Sequence, residues 1–425
     1  MIEPIGTFGP STRTRRSPST RRFFMTSVAV ALSLICVRPA GAETLHDAII
    51  SAWARDPVGR AANVDAMAAH RTADASESWF PGGPVINGEY LDDHFIGSNV
   101  GYTTYQGSIG VPLWLPGQGT ATVKNALADE AAARANGKVA RLAMAVRLLD
   151  LTSAATLLTR EAQNMRQTSA VLAQALQATS RALAQGEIPA TDNEALLGEK
   201  EDLDGRIAET EQKIEATRAE LETLTGQDTI PDLMNLDGHL LVGQGLSLDP
   251  KNDPRIEMAN ATVQAAHASY NVAAHSFMPA PEVGIMVLKQ GQYGSPWDTQ
   301  VGVQFSTTLP SEARNTPMMM KETKAIGAAE RDAELTRRKV TVEYRQTRAQ
   351  LASALEILRH ADRTQKALQD RAGQMDKAWR VGETSAIEYL RARQAALAAQ
   401  QRATQADVIW HAAMVRMVLM AGRTP

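Results

Sequence analysis

The sequence has one cysteine in 425 residues, and that cysteine lies in an apolar leader. A basic stretch, the apolar run VAVALSLICV (28–37) and small residues after it predict a signal peptide over 1–42, cleaved after about Ala42. A lipoprotein signal needs a small residue before its cysteine. Because Ile35 precedes Cys36, lipidation is not expected. The mature chain then has no cysteine, which excludes disulfides, thiolate metal sites and cysteine nucleophiles.

Long apolar runs and a surplus of positive charge are also missing, and aromatic residues are few. No stretch after the leader reaches the ~18 uninterrupted apolar residues of a membrane-spanning helix. The formal net charge is -3, and removing the arginine-rich leader makes it more negative, which argues against nucleic acid as a partner. Aromatic residues make up 5%, which favours close-packed long helices over a thick core. In the leader, TRRFF (20–24) leaves the general secretory and twin-arginine routes both open.

The sequence contains none of the common catalytic motifs. It shows no nucleophile elbow, phosphate loop or paired catalytic carboxylates, so no catalytic residue and no cofactor are predicted. The segment PMMMK (317–321) offers thioether sulfurs that suit Cu(I), but methionine also fills packed helices. His70, His267 and His275 lack neighbouring ligands at zinc spacing, so no metal site is predicted either.

Short landmarks occur twice, in the same order and at nearly one offset of 194 to 198 residues. They are RDP (55–57) and NDP (252–254), Pro81 and Pro279, LP (115–116 and 309–310), QGE (185–187) and VGE (381–383), and LTG and MAG, which end at Gly226 and Gly422. This repetition predicts an internal duplication, because repeats at a fixed period are typical of duplicated units. The first repeat covers 43–226, the second covers 251–422, and a linker (227–250) joins them.

Each repeat contains segments with two different periodicities. Alternation with period two, one face apolar and one polar, predicts a pair of strands in each repeat. The predicted strands are about 84–92 and 103–113 in the first repeat, and about 282–289 and 297–309 in the second. Apolar steps of three and four then predict long helical hairpins over about 118–225 and 314–421.

Gly186 and Gly382 each interrupt a long helical run, and each is predicted to form the tip of a hairpin. Four strands with an apolar face cannot close a barrel alone, and lipid does not tolerate an open sheet edge. A homotrimer would supply twelve strands and would gather the hairpins into a tube. The predicted fold is therefore mainly α with a membrane β-barrel portion: an α-barrel of long antiparallel hairpins and a twelve-stranded β-barrel, in a bacterial outer membrane.

The mature sequence resembles the TolC-like outer-membrane efflux family over nearly its whole length. The resemblance rests on the duplicated unit, on FPGGP (80–84) and FMPAP (277–281), and on Gly-Glu before each return helix. The segment VPLWLPGQGTA (111–121) is most similar to the heavy-metal branch of that family. The resemblance implies a homotrimeric duct through the outer membrane and periplasm. Its tips would dock with a periplasmic adaptor, which is fed by a proton-driven pump in the inner membrane.

The resemblance also implies roles for residues at the tips. Glu388 matches an acid that narrows the pore entrance, and Arg391 replaces a second acid. Asp192 matches an aspartate that ties the closed tips together, but its basic partner is replaced by Thr384, so that lock is not expected here. The alternative is that both acids are solvated residues favoured by a helix dipole. The residues predicted to dock with the adaptor are Gly186, Glu187, Gly382 and Glu383.

Other functions remain open at this point. Heavy-metal cations are the expected cargo, and drugs or a type I secreted protein are the alternatives. A periplasmic adaptor also has long helical hairpins, but it would need lipoyl-like and barrel segments around a single hairpin. A purely structural coiled-coil protein would not need period-two strands between prolines.

Overall fold

The computed structural model describes residues 44–93, 101–186, 189–234, 249–292, 294–381 and 383–421. The predicted signal peptide, residues 235–248 of the predicted linker, and the tip residues Glu187 and Gly382 lie outside these ranges. The described chain is mainly helical. Its α-helices are α1 (Leu45–Arg55), α2 (Pro57–Ser76), α3 (Gln118–Ala184), α4 (Ala190–Thr225), α5 (Pro254–His275), α6 (Glu312–Arg380) and α7 (Ala386–Met420).

The repeated Asp-Pro motif starts a helix in each half of the chain. The Asp56 carboxylate accepts a hydrogen bond from the Val58 amide at 3.0 Å, and the Asp253 carboxylate accepts one from the Arg255 amide at 2.8 Å. The proline that follows each aspartate occupies the first helical position, where its missing N–H costs nothing. The motif therefore sets the first residue of both α2 and α5.

Two helical hairpins dominate the structure. Helices α3 and α6 contain 67 and 69 residues, so each is about 100 Å long at ~1.5 Å per residue. α3 packs against α4, α6 packs against α7, and α3 also packs against α7, which joins the hairpins side by side. The side chains of α6 at Ala333, Val340, Thr347 and Ala354 are buried at a spacing of seven, which is the heptad of a coiled coil.

By length and composition, α3 is also apolar enough over Gln118–Arg181 to cross a membrane. The prediction from sequence found no uninterrupted apolar run there. Helix α3 instead buries its apolar positions against α2, α4, α5 and α7 of the same chain. We therefore interpret its apolar character as that of a packed helix.

Both halves contribute to one antiparallel sheet of four strands in the order β1-β2-β3-β4. The strands are β1 (Val85–Asp92), β2 (Tyr102–Pro112), β3 (Glu282–Gln292) and β4 (Asp298–Ser306). Ile109 lies opposite Ile285, and Ile285 lies opposite Val303, so apolar side chains share one face of the sheet. Within the described residues, the outer edges of β1 and β4 pair with no other strand.

Strand pairing, rather than sequence pattern, sets the ends of β3 and β4. β3 continues to Gln292, beyond the predicted end at 289, because Gln290 to Gln292 pair with the start of β2. β4 ends at Ser306, before the predicted end at 309, because Ser306 pairs with Glu282, the first residue of β3. The apolar Leu309 therefore lies beyond the ladder.

The largest core lies where α1, α3, α4 and α7 meet. It contains fully buried leucines of α3 and α4, with α1 and the α7 side chains Val408 and Val415 around them. Leu233, in the described part of the predicted linker, is buried in the same core. Smaller apolar clusters lie further along each hairpin, around Leu172 and Leu203 in the first and Ala392 and Ala396 in the second. The main core therefore holds the two hairpins together well away from their tips.

Candidate functional site

The tip of the first hairpin turns at Gly186. Helix α3 ends at Ala184, and Gly186 has a φ of 73°, in the left-handed region that residues with a Cβ avoid. Its amide donates a hydrogen bond to the Leu183 carbonyl at 3.0 Å. A Cβ at this position would meet nothing within 4 Å, so backbone strain alone selects glycine here. The structure thus explains Gly186, while the next tip residue, Glu187, lies outside the described ranges.

Hydrogen bonds hold the two helices of the first tip together. The hydroxyls of Thr179 and Ser180, both on α3, donate to Asn193 Oδ1 on α4, each at 3.1 Å. Asp192 lies in the first turn of α4 next to Asn193, and its side chain lies outside the described part of the structure. The sequence did not single out Asn193 as the residue that bridges the tip.

The second tip places Glu388 and Arg391 on the first turns of α7. Ser385 is the N-cap of this helix, and its hydroxyl accepts a hydrogen bond from the Glu388 amide at 3.3 Å. Arg391 donates to the Glu388 carboxylate at 2.8 Å, which is the i,i+3 contact that their spacing allows. The Glu388 side chain is 48% exposed and that of Arg391 is 70% exposed, so this pair stabilises the helix by only about 0.3–0.5 kcal/mol.

The geometry at Glu388 is compatible with both roles considered from the sequence. A carboxylate at the third helical position interacts favourably with the helix dipole, as the solvated-turn alternative requires. The same exposure leaves the carboxylate free to face a pore formed by several copies. Ser385 and Glu388 also have the Ser-x-x-Glu spacing of a capping box, a signal that was present in the sequence. Glu383, the other described residue of this tip, is exposed.

An aromatic pair closes the second hairpin next to its tip. The rings of Trp379 on α6 and Tyr389 on α7 are stacked, with centroids 5.0 Å apart and planes 4° from parallel. Tyr389 is 196 positions after Asn193, so the two tips use different chemistry at corresponding places. The first is joined by hydrogen bonds and the second by an aromatic stack, which is worth about 0.5–1.5 kcal/mol beyond its buried area.

Near the tips, polar side chains join the two hairpins. Gln394 of α7 donates to Glu199 of α4 at 2.8 Å, and Gln401 of α7 donates to Glu161 of α3 at 3.4 Å. Further from the tips, Arg416 of α7 pairs with the Asp150 carboxylate of α3, beside the apolar core. The contact between the hairpins is therefore polar towards the tips and apolar towards the core.

A polar cluster in the first hairpin joins α3 to α4. Asp204 accepts hydrogen bonds from Lys200 Nζ and from the Ser169 hydroxyl, each at 2.6 Å. The hydrogen bond from Lys200, followed by that from Ser169, lowers the pKa of Asp204 below its ordinary value. The same contact with Asp204 raises the pKa of Lys200. This cluster stabilises the stem that carries the first tip.

A second charged cluster fixes the start of α5 to α6. Arg255 donates to Asp253 at 2.8 Å and to Glu343 at 2.5 Å, and Asp253 is 1% exposed. These hydrogen bonds, first the one that Arg255 donates to Asp253, raise the pKa of Arg255, so its guanidinium stays charged. A buried carboxylate needs such a partner, because an unpaired buried charge is strongly destabilising.

Two of the three histidines considered from the sequence contact carboxylates, and the third, His275, contacts the Asn271 carbonyl through Nδ1 at 2.8 Å. His70 Nδ1 lies 3.0 Å from Glu130, and His267 Nε2 lies 3.6 Å from Glu330. Within the described ranges, no group of three or more His, Cys, Asp or Glu side chains could hold a metal ion. The methionines at 318–320 lie in the first turns of α6 and are half-buried or exposed.

The apolar face of the sheet is exposed to the surroundings of the chain. Ile86 is 78% exposed and Val303 is 81% exposed, and Ile109 and Ile285 lie between them on the same face. The opposite face carries Ser108, Gln304 and other polar side chains. A sheet in water would bury such an apolar face, so this face requires an apolar environment.

Comparisons with known proteins agree with this architecture. Residues 247–423 match the profile of the family described as outer membrane efflux protein. That range nearly coincides with the predicted second repeat and covers less than half of the chain. No curated protein matches the chain.

Solved outer-membrane channels share the fold of the chain. The Campylobacter jejuni CmeC outer membrane channel is similar with a TM-score of 0.70 and 13% identity, over 90% of this chain and 86% of that chain. The open state of the Neisseria gonorrhoeae MtrE outer membrane channel gives 0.68 and 15% identity, over 89% and 88%. CusC, whose structures concern folding and transmembrane channel formation, gives 0.69 and 13% identity, over 89% and 92%. At these identities the likeness establishes the fold and no specific function.

Proposed function

We propose that this chain is an outer-membrane efflux protein, a passive exit duct of a tripartite efflux system. The observation that carries the proposal is the combination of two long helical hairpins with one four-stranded sheet that has an apolar face and two unpaired edges. The family match over residues 247–423 supports it. Neither an adaptor nor a structural coiled coil needs such a sheet.

The open edges of the sheet support a homotrimer in this proposal. Open strand edges are not tolerated in lipid, because their backbone groups would stay without hydrogen bonds. β2 and β3 contain 11 residues each, which is the length of a tilted strand that crosses a bilayer. In the proposal, three copies join β1 of one to β4 of the next and close a twelve-stranded barrel. Its apolar face contacts outer-membrane lipid and its polar face lines the lumen.

The helical hairpins continue the duct into the periplasm. Three copies supply six hairpins, which close into an α-barrel in the proposal. The tips dock with a periplasmic adaptor through Gly186, Glu187, Gly382 and Glu383, and an inner-membrane pump, driven by protons, supplies the substrate. The long helices span the distance, since about 100 Å of helix reaches far from the membrane.

The pore entrance in this proposal is narrowed at the tips by Glu388, Arg391 and Asp192. Three-fold symmetry would place three Glu388–Arg391 pairs around one axis. The cargo is proposed to be heavy-metal cations, on the segment 111–121, with drugs or a type I secreted protein as the alternative cargo. The leader would direct the chain to the envelope and be removed after about Ala42.

A direct test is reconstitution of the full chain. The protein is expressed with its leader, extracted from outer-membrane fractions, measured by native mass spectrometry and inserted into planar lipid bilayers. The proposal expects a heat-modifiable trimer that forms discrete conducting channels. A monodisperse monomer without channel activity would refute the proposal. Resistance assays with metal salts and with drugs, in a strain that lacks its own outer-membrane channel, then separate the two classes of cargo.

A further inference from the structure

Helix α5 is covered by two long helices, whereas its counterpart α2 is covered by one. α5 lies against both α3 and α6. α2 lies against α3, the only long helix of the described chain that packs extensively along it. Because the two halves have the same order of elements, the second neighbour of α2 is missing from the chain itself.

The burial pattern shows which face of α2 is left open. On α5, a second stripe of side chains faces away from the stripe that contains Ile256 and Ala259, and its members are half-buried. The second stripe of α5 consists of Met258, Ala261, Ala265, Ala268 and Val272. The residues 197 positions earlier on α2 are exposed, and they are Ala61, Val64, Ala68, Arg71 and Ala75. Mostly small and apolar, these α2 residues form a surface suited to close contact with another helix.

The contacts of α5 identify the kind of helix that fits this surface. At the edge of the second stripe, Glu257 of α5 binds Lys138 Nζ of α3 at 2.6 Å, so this stripe faces α3. The counterpart of α3 in the second half is α6. Val139 and Val146 of α3 are half-buried, whereas Leu335 and Val342, 196 positions later on α6, are 55% and 52% exposed. The exposed face of α6 thus has apolar side chains at the positions that correspond to half-buried valines of α3.

Charge at the two surfaces is also complementary. Arg60 of α2 is 197 positions before Glu257, and Glu334 of α6 is 196 positions after Lys138. The Glu257–Lys138 pair within the chain therefore corresponds to an arginine and a glutamate, with the signs exchanged. Arg60 is exposed and has no ion-pair partner within the described residues. Among the residues that the structure describes, the ion-pair partners of Glu334 are two arginines of its own helix, Arg338 at 2.9 Å and Arg337 at 3.7 Å.

We propose that the open stripe of α2 binds α6 of a neighbouring copy of this chain, with Arg60 of one copy opposite Glu334 of the next. The inference rests on the trimer of the proposed function and names the residues that form its helical interface. The two surfaces differ, so the contact is head-to-tail, and repeating it closes a ring when the rotation between copies is one third of a turn. In that ring every α2 acquires the second long neighbour that α5 already has.

Engineered cysteines test this pairing directly. The only cysteine of the chain is in the leader, so the mature protein gives no background. The variant Arg60→Cys/Glu334→Cys is treated in outer-membrane vesicles with a short bismaleimide, whose length is similar to that of a side-chain ion pair. The products are then separated on a denaturing gel. The matched control, Lys138→Cys/Glu257→Cys, places the same chemistry at the corresponding contact within one chain. We expect bands at two and three times the monomer mass for the first variant, and a band at the monomer mass for the control.

The outcomes distinguish a failure of the proposed interface from a failure of the proposed duct. A trimer in native mass spectrometry whose cysteines link only within a copy, or not at all, overturns the inference and leaves the proposed function intact. Absence of any trimer overturns both. Linked species larger than three copies would contradict a closed ring.

As a second readout, Arg60→Glu should lower the temperature at which the trimer dissociates, and adding Glu334→Arg should restore it. Because Glu334→Arg also removes the contacts with Arg337 and Arg338, it is measured alone as well, and a loss in the double variant equal to the sum of the two single losses would refute the Arg60–Glu334 pair.

Discussion

Substitutions at Glu388 and Arg391 give the sharpest test of the pore entrance. The pair is neutral in each copy, because Arg391 donates to the Glu388 carboxylate at 2.8 Å. Glu388→Gln leaves one uncompensated positive charge per copy, whereas Arg391→Asp leaves two negative charges. If three copies surround an axis, the ring therefore changes from neutral to positive in the first variant and to strongly negative in the second.

The expected size of the effect follows from Coulomb's law. A charge about 8 Å from a permeating ion in water contributes about 0.5 kcal/mol, and screening at physiological salt reduces this to about 0.2 kcal/mol. Three copies then contribute about 0.6 kcal/mol, which corresponds to about a three-fold change in local cation concentration. Because the added positive charge depletes cations and enriches anions by the same factor, Glu388→Gln should lower the cation-to-anion permeability ratio by about seven-fold. Arg391→Asp should raise the ratio by more, because the charge changes by two units per copy.

Reversal potentials in planar lipid bilayers under a salt gradient measure this ratio. The double variant Glu388→Gln/Arg391→Gln is the matched control, since it restores neutrality without the ion pair and should record like the parent. The two single variants should also shift block by multivalent cations in opposite directions. If both single variants record like the parent, Glu388 is a solvated residue of a helix end, and the pore-lining role is wrong while the duct itself survives.

Further predictions concern the tip, the stem and the core. Gly186→Val should lower export while the trimer still forms, because a β-branched residue at a φ of 73° costs about 1–2 kcal/mol, and Gly198→Val within α4 is the control for the side chain itself. Asp204→Asn should destabilise the fold at pH 7 but hardly at pH 2, as measured by thermal melting of helical circular dichroism. The folded state lowers the pKa of Asp204, so its contribution is present above the ordinary aspartate pKa and is lost as the pH falls through the folded value. Leu149→Ala should lower the stability of the fully buried core by about 2–5 kcal/mol, and an unchanged unfolding midpoint in denaturant would contradict the packing described.

The long helices were largely predictable, because local sequence decides them. Runs without interior proline extend from residue 118 to 184 and from 190 to 225, and the structure has helices over the same ranges. The strands were less predictable at their ends, since β3 and β4 stop where their pairing partners stop. The buried seam of α6 consists of Ala333, Val340, Thr347 and Ala354, and larger residues such as Leu351 are half-buried beside it.

The contacts at the tips show which interactions can be predicted from the sequence and which cannot. The spacing of Glu388 and Arg391 on one helix indicates their contact, because an i,i+3 pair needs no tertiary information. The stack of Trp379 on Tyr389 and the bond from Gln394 to Glu199 join different helices, so they depend on a register that the sequence leaves open. Among the residues at the second tip, the sequence thus indicates those that act along one helix and misses those that act between helices.

The two halves have the same order of helices and strands, but different contacts stabilise them. At the first tip, hydroxyl groups of α3 donate to Asn193 of α4, and at the second tip two aromatic rings stack. The short helix α5 packs against two long helices, whereas α2 packs against one. A duplicated unit in an isolated monomer would gain stability by enclosing both short helices alike. An open stripe on α2 is instead advantageous if another copy covers it, because burying it within the chain would remove the surface on which copies assemble. The asymmetry between α2 and α5 is therefore expected if identical chains form the closed ring that we propose, in which each chain covers the open helix of its neighbour.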